Sequence, residues 1–139
     1  MSFKIAASEC GGAHIRAHFR HSAMVVTIHG RLDAGNLDQV RACIRRFVLA
    51  DNHLVLDLSD VNSSDAEQVS LVSMFAEVCL AADVEWALVA SDAVAAALRE
   101  RGDEAPYRIA QSVNEALSHF ADVAATRRQL LLPLFKKPA

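Results

Sequence analysis

No stretch of this chain concentrates Lys and Arg into a block long enough to follow a phosphate backbone, and the formal net charge is −3. Nucleic-acid binding rests on clustered cations and is not expected. No apolar run approaches the ~20 residues that a bilayer span needs, so no membrane insertion is expected. The N-terminal MSFKIAASECGG lacks an apolar core long enough for a signal peptide, which leads to the expectation of a cytoplasmic protein. Cysteine is scarce. Cys10, Cys43 and Cys79 are odd in number, widely spaced and without a CxxC pair. Cys43 and Cys79 fall at apolar positions of helical patterns, as buried free thiols would. There is no Gly-rich phosphate loop, no Ser–His–acid order and no metal-ligand set. No cofactor, no metal and no enzymatic activity are expected, because a catalytic site needs several convergent groups.

What remains is 139 residues, 53% hydrophobic and 22% charged, enough to bury one core without staples. From His14 to Arg20 the residues alternate strictly. Ile15, Ala17 and Phe19 share one face and His14, Arg16, His18 and Arg20 the other, predicting a half-exposed strand. His14 and His18 have no neighbouring Cys, Asp or Glu to complete a metal set, so that face reads as solvated. A turn at His21-Ser22-Ala23 leads to an antiparallel strand, Met24 to His29. Asp33 or Asn36 can cap a helix predicted from Leu37 to Ala50, with Leu37, Val40, Ile44, Phe47 and Val48 on its apolar side. After a turn at Asp51-Asn52, the almost continuously apolar Leu54 to Leu58 predicts a strand covered on both faces.

Ser59 to Asp65 is a cluster of turn and cap residues. Ser64, with Glu67 three residues on, makes the capping-box pattern for a helix from Asp65 to Ala82. That helix carries two apolar stripes, Val69-Val72-Ala76-Cys79 and Leu71-Met74-Phe75-Val78, edged by Ser70 and Ser73. One stripe can pack on a sheet. The other can meet a neighbouring helix or form a docking surface. A strand from Glu85 to Ala90 follows, then a helix capped by Ser91-Asp92 and stopped at Gly102. A short strand, Arg108 to Ala110, precedes a last helix capped by Ser112 and Glu115 that runs past Ala125. The tail from Gln129 to Lys137 is apolar with a basic end; folding back on the core is expected, with self-association, including a homodimer, as the alternative. The expected organisation is an N-terminal extension over 1–12, a domain over 13–125 and a tail over 126–139. Alternating strands and helices after an initial hairpin predict an α/β domain with a mostly parallel sheet.

Four stretches carry a resemblance. Val25 to Asp33 is an apolar strand ending in G-x-L-D; Leu54 to Val61 reads L-x-L-D-L-S-x-V; Glu85 to Leu98 is a strand, polar turn and Ala/Val/Leu-rich helix; Ser112 to Leu117 reads S-x-x-E-A-L. In this order they resemble the STAS domain, the fold shared by bacterial anti-sigma factor antagonists and the cytoplasmic tails of sulfate transporters. The resemblance covers about Ala13 to Phe120. It implies a mixed, mostly parallel sheet of about five strands with an N-terminal antiparallel edge strand, and about four helices largely on one face. It also implies a non-catalytic interaction module in transcription regulation, whose partner is an anti-sigma factor or kinase-like regulatory protein.

The family's switch is D-S-[ST]-G at the mouth of the second helix, its first serine being phosphorylated by the partner kinase. Here the matching residues are Asp65-Ala66-Glu67-Gln68. Ala66 stands at the phosphoacceptor position and has no hydroxyl, so the usual switch is absent there. The expected docking surface comprises Asp33, Asn62, Ser63, Ser64, Asp65, Ala66, Glu67, Gln68, Ser70, Ser73 and Met74. Three readings stay open: constitutive docking, phosphorylation at Ser63 or Ser64 instead, and a component of a transport assembly or a domain that senses a small ligand such as a nucleotide or lipid. Whether Glu67 acts as a standing mimic of the modified state is open as well. Asp57, inside an apolar strand, is weighed as a catalytic carboxylate; a hydrogen-bonded structural role is the expectation.

Overall fold

The computed structural model describes residues 6–20, 23–49, 52–100 and 107–135, with the backbone alone for Ala6 and for 131–135. The Gly11-Gly12 pair starts the fold. Both residues have positive φ, +56° and +103°, as a two-residue hairpin whose twist matches its strands requires. The turn joins β1 (Ala6–Cys10) to β2 (Ala13–Arg20), with Cys10 opposite Ala13. Residues 6–10 are therefore part of the sheet and not an extension outside it, and β1 takes the edge place expected for β2. β2 pairs antiparallel with β3 (Ala23–Arg31) from Ala13↔Gly30 to Arg20↔Ala23. The predicted turn residues His21 and Ser22 lie outside the described residues.

β4 (His53–Asn62), β5 (Trp86–Val89) and β6 (Arg108–Ala110) then add in parallel, giving the order β1-β2-β3-β4-β5-β6 among the described residues. β4 is longer than its apolar run. It continues through Ser59 and Asp60, which were expected in a turn, because a register shift opposite Thr27 and His29 lets the strand resume pairing with β3 as far as Arg31↔Asn62. Asp57 sits at the shift. Its Oδ1 accepts from the Ser59 N–H at 3.0 Å and the Ser59 hydroxyl at 2.7 Å. That is the hydrogen-bonded structural role expected for it.

Three helices, α1 (Leu37–Arg45), α2 (Asp65–Ala82) and α3 (Asp92–Glu100), cover one face of the sheet. The main core lies between them: Ile15, Ile28, Leu54, Leu56 and Leu88 from the strands meet Val40, Ile44, Leu71, Phe75, Val94 and Leu98. Phe75 stands edge-on to Trp86, which stacks on Tyr107. α1 stops at Arg45, five residues short of the expectation. Arg46, Phe47 and Val48 bond back three residues instead of four, which tucks Phe47 and Val48 against the core. On the other face, α4 (Val113–Phe135) lays Ala116, Leu117 and Phe120 over Val25, Val55, Ala87 and Val89. His53 stacks on Phe120 with ring centroids 4.5 Å apart.

As far as Phe135, the tail does not fold back. It continues α4 through Phe135, and Leu130 stays 71% exposed. Its basic end, Lys136 and Lys137, lies outside the described residues, as does the predicted helix stop at Gly102. No helix among the described residues is long and apolar enough to cross a membrane.

Gly30 is the glycine that the fold cannot replace. Its φ is +96°, and a Cβ there would lie 2.4 Å from the Gly12 carbonyl oxygen. That carbonyl accepts the Arg31 N–H at 3.0 Å, so it cannot move away without breaking the join between hairpin and sheet. Gly30→Ala is expected to lower stability by about 2–4 kcal/mol, read as a drop in the urea midpoint at unchanged slope.

Cys79, fully buried on α2, gives a pH test of the core. Burial pushes its thiol from 9.0 up to about 12. The unfolded chain releases this proton near pH 9 while the folded chain keeps it. The contribution is therefore complete below pH 9 and is lost as pH rises from about 9 to about 12, at up to about 1.4 kcal/mol per pH unit. Cys79→Ala should flatten that alkaline decline, measured by urea unfolding at pH 8, 9.5 and 10.5.

Candidate functional site

At the C-terminal end of the parallel strands, two loops meet. The first follows β3. Asp33 Oδ2 pairs with Arg31 Nε at 3.0 Å, and its Oδ1 accepts the N–H groups of Gly35 at 2.8 Å and Asn36 at 3.2 Å. Asp33, not Asn36, thus closes the turn before α1. Asn36 occupies the N-cap position without making a side-chain cap bond. Its amide turns inward instead and is 2% exposed. Oδ1 accepts the Asp33 N–H at 2.9 Å; Nδ2 donates to the carbonyls of Arg31 at 2.7 Å, Cys10 at 3.0 Å and Gly11 at 3.2 Å. One buried side chain ties the β1–β2 turn, the end of β3 and the start of α1 together. The sequence signal for it was only a polar residue ahead of a helix, which reads as an ordinary cap.

The second loop follows β4. The Leu32 N–H donates to the Asn62 carbonyl at 3.3 Å, which holds the two loops side by side and brings Asp33 near the mouth of α2. There Ser64 is the N-cap: its Oγ accepts the Glu67 N–H at 3.3 Å, and its carbonyl accepts the Gln68 N–H at 3.2 Å. Ser63 Oγ donates to the Ser64 carbonyl at 3.2 Å. Asp65 and Glu67 lie in the first turn, against the positive end of the helix dipole. Asn62, Ser64, Asp65 and Ala66 are exposed, Ser63 and Glu67 half-buried.

Gln68 differs from its neighbours. It is 5% exposed and heads the buried stripe that continues through Leu71, Val72, Phe75 and Cys79. Its Oε1 has no hydrogen-bond partner among the described residues. Gln68 is thus a packing residue and offers little surface to a partner. It also stiffens the first turn, where glycine would cost a helix about 0.5–1 kcal/mol.

The remaining expected residues divide. Ala66, Ser70, Ser73, Glu77 and Leu80 follow one another at helical spacing along the outward side of α2, with Leu80 69% exposed. Ser70 and Ser73 are half-buried. Arg41 on α1 donates through Nη2 to Ser70 Oγ at 2.8 Å, so Ser70 lies at the α1–α2 crevice. Met74 turns toward the core cluster and supports the surface from beneath. The buried apolar residues of α2, Leu71, Val72, Phe75 and Cys79, come from both expected stripes and face the main core, with Phe75 reaching Trp86 on β5, while α1 and α3 flank the helix.

Comparison with known proteins bears on this end of the sheet. The STAS domain family model matches residues 14–116. The chain belongs to the STAS domain family. Osmosensory protein A of Mycobacterium tuberculosis is 46% identical over 138 residues, covering 96% of this chain and 87% of that protein. Two solved structures share the fold. A serine-to-glutamate variant of Moorella thermoacetica RsbS has a TM-score of 0.62 at 19% identity, covering 90% of this chain and 99% of the other. An anti-sigma factor antagonist from Mycobacterium paratuberculosis has a TM-score of 0.51 at 18% identity, covering 87% and 96%. This STAS domain therefore resembles anti-sigma factor antagonists in fold, with a mixed sheet whose antiparallel strands come first.

A cleft of about 760 Å³ opens beside the same end of the sheet, lined by Ala90, Ser91, Asp92, Arg99, Gln111 and Glu115 among others. Part of its polar lining is engaged in caps. Ser91 Oγ accepts the Val94 N–H at 3.3 Å, and Glu115 Oε2 accepts the Gln111 N–H at 3.3 Å.

Proposed function

We propose that this STAS domain is a non-catalytic interaction module of the anti-sigma factor antagonist type, docking an anti-sigma factor or a related kinase-like regulator. The single observation that carries this reading is the mouth of α2. An exposed, rigidly capped helix start, with Asp33 and Asn62 held beside it, presents Ala66 where the family resemblance puts the phosphoacceptor. The docking surface is Asp33, Asn62, Ser63, Ser64, Asp65, Ala66 and Glu67, extended along α2 by Ser70 and Ser73 and backed by Gln68 and Met74. The helix mouth itself is acidic, from Asp65 and Glu67, while Asp33 is paired with Arg31 and Arg41 lies farther along at Ser70, so the partner surface that complements the mouth is basic.

Docking is constitutive in this reading, because Ala66 cannot accept phosphate. Ser63 and Ser64 serve the helix start through their hydroxyls, which favours a structural role for both over phosphorylation. Glu67 is half-buried, with its N–H held by the cap, and carries one charge where a phosphate carries about two. It acts here as a first-turn dipole partner and not as a mimic of the modified state. The cleft beside α3 favours the second reading, a small-ligand sensing domain or a transport component, but its capped polar groups leave few donors to converge on a ligand.

The test is capture from native lysate with wild type and the Ala66→Arg variant, partners identified by mass spectrometry and phosphate content read in the same samples. An anti-sigma regulator recovered on unphosphorylated wild type and lost from Ala66→Arg supports constitutive docking. Recovery of no such regulator by wild type overturns it and moves the small-ligand reading ahead.

A further inference from the structure

Two of the three cysteines converge. Cys10 closes β1, and Cys43 lies in the last turn of α1. The Cys10 thiol is directed at α1: its Sγ donates to the Gln39 carbonyl at 3.9 Å. Gln39 is one helical turn before Cys43, so the sulfur sits over the turn that Cys43 ends. A second, independent contact fixes the strand end on the same helix, Asn36 Nδ2 donating to the Cys10 carbonyl at 3.0 Å. Cys43 is 6% exposed in the main core cluster, and half-buried Cys10 packs against that cluster. The carbonyl that the Cys10 sulfur reaches is thus four residues before Cys43 on the same helix, and both cysteines belong to one packed cluster.

We propose that Cys10 and Cys43 form a reversible intramolecular disulfide, which makes the β1–α1 contact an oxidative modification site. The oxidant is a hydroperoxide, with hydrogen peroxide the simplest. Cys10, the more exposed sulfur, attacks as thiolate: an S–O bond forms, the O–O bond breaks, and the departing hydroxide takes up a proton as water. Cys43 then attacks the Cys10 sulfenic acid. The S–S bond forms, the S–OH bond breaks, and hydroxide leaves with the Cys43 proton as a second water. Two thiols lose two electrons and one peroxide gains them; a dithiol reverses the change. The bond would staple the edge strand to α1 across the loop that carries Asp33.

The rate has a signature. Burial first, then the neighbouring Cys43 thiol and the Glu9 carboxylate, push the Cys10 thiol up, and Arg46 alone among these groups pulls it down. Thiolate is therefore scarce at neutral pH. Oxidation should be slow there and should still accelerate above pH 9. Cys79, with its thiol pushed up to about 12 and its side chain fully buried, stays out of the reaction.

The experiment treats the full chain, wild type and the variants Cys10→Ser, Cys43→Ala and Cys79→Ala, with hydrogen peroxide at pH 7 and 9.5. Remaining thiols are then alkylated, and intact masses and non-reduced peptides are read. Wild type and Cys79→Ala should lose two alkylatable thiols, weigh about 2 Da less than the reduced chain before alkylation, and yield a Cys10–Cys43 peptide that dithiothreitol removes. Cys10→Ser and Cys43→Ala should give no intramolecular disulfide. Cys10 is only half-buried, so its variant keeps the comparison sound even where Cys43→Ala disturbs the core. Amide exchange across residues 31–36 should slow in the oxidised chain. Disulfide-linked dimers through Cys10, Cys10 sulfinic acid without a disulfide, a bond to Cys79, or no thiol loss at pH 9.5 would each overturn the proposal.

Discussion

Asn36→Ala is expected to unfold the chain at a much lower urea concentration than wild type, with a stability loss of about 3–5 kcal/mol at unchanged slope. The size follows from how many segments one buried amide serves. Removing it leaves the Asp33 N–H and the carbonyls of Arg31, Cys10 and Gly11 without that partner. Gly11 keeps a long contact from Arg31 Nη2 at 3.4 Å, so its loss is the smallest. A group left unpaired where water cannot replace the lost partner costs about 1–3 kcal/mol, and the void left at a site 2% exposed adds to the total. Asn36→Asp should be at least as severe, because a carboxylate has no donor for carbonyls and would face several at once. Asp33→Ala is the control. Its bonds lie in a half-exposed turn, and a loss of about 1 kcal/mol is expected there. Equal losses for Asn36→Ala and Asp33→Ala would remove Asn36 from its central place in the fold.

Ala66→Arg should leave stability within about 0.5 kcal/mol of wild type, because Ala66 is exposed in the first turn of α2 and anchors nothing. Under the proposed function it should weaken docking about 100-fold, or about 2.7 kcal/mol, by placing a long cation at the centre of an acidic surface that meets a basic partner. Ala66→Ser is the complementary variant. With the partner kinase and ATP it should gain one phosphate that wild type does not, read by intact mass, and then release the partner, since the phosphate adds about two negative charges at the helix mouth. Titration calorimetry with the captured regulator measures both. Unchanged affinity in Ala66→Arg would move the docking surface away from the mouth of α2.

Much of the fold was legible because its signals are local. The strict alternation of His14 to Arg20 is a strand. Ser64 with Glu67, and Ser112 with Glu115, mark helix starts that the structure places there, down to the N–H each serine accepts. The Asp65–Ala82 bounds of α2 follow from its cap and from Asp83, which leaves the helix at φ 57°. Misplaced boundaries occur where a local signal was weak. β1 reads AASEC, with little β propensity, and only its register against β2 makes it a strand. Ser59 and Asp60 look like turn residues, yet the shift opposite Thr27 and His29 carries them into β4.

By itself the sequence determined the order of elements from β2 onward, the capped start of α2 and the alanine at its mouth. These depend on side-chain period and on the chemistry of single residues, which act over one or two turns of chain. Tertiary structure alone decided that three helices share one face while α4 takes the other, and that Asn36 serves three segments instead of its own helix. It also decided that Ser70 is held by Arg41 and that the Cys10 thiol reaches the Gln39 carbonyl on α1, 29 residues away along the chain and one turn before Cys43. Periodicity reports which side of an element is apolar. Only the packed fold reports which distant element lies against that side, and buried polar groups are matched there, across segments that no local pattern connects.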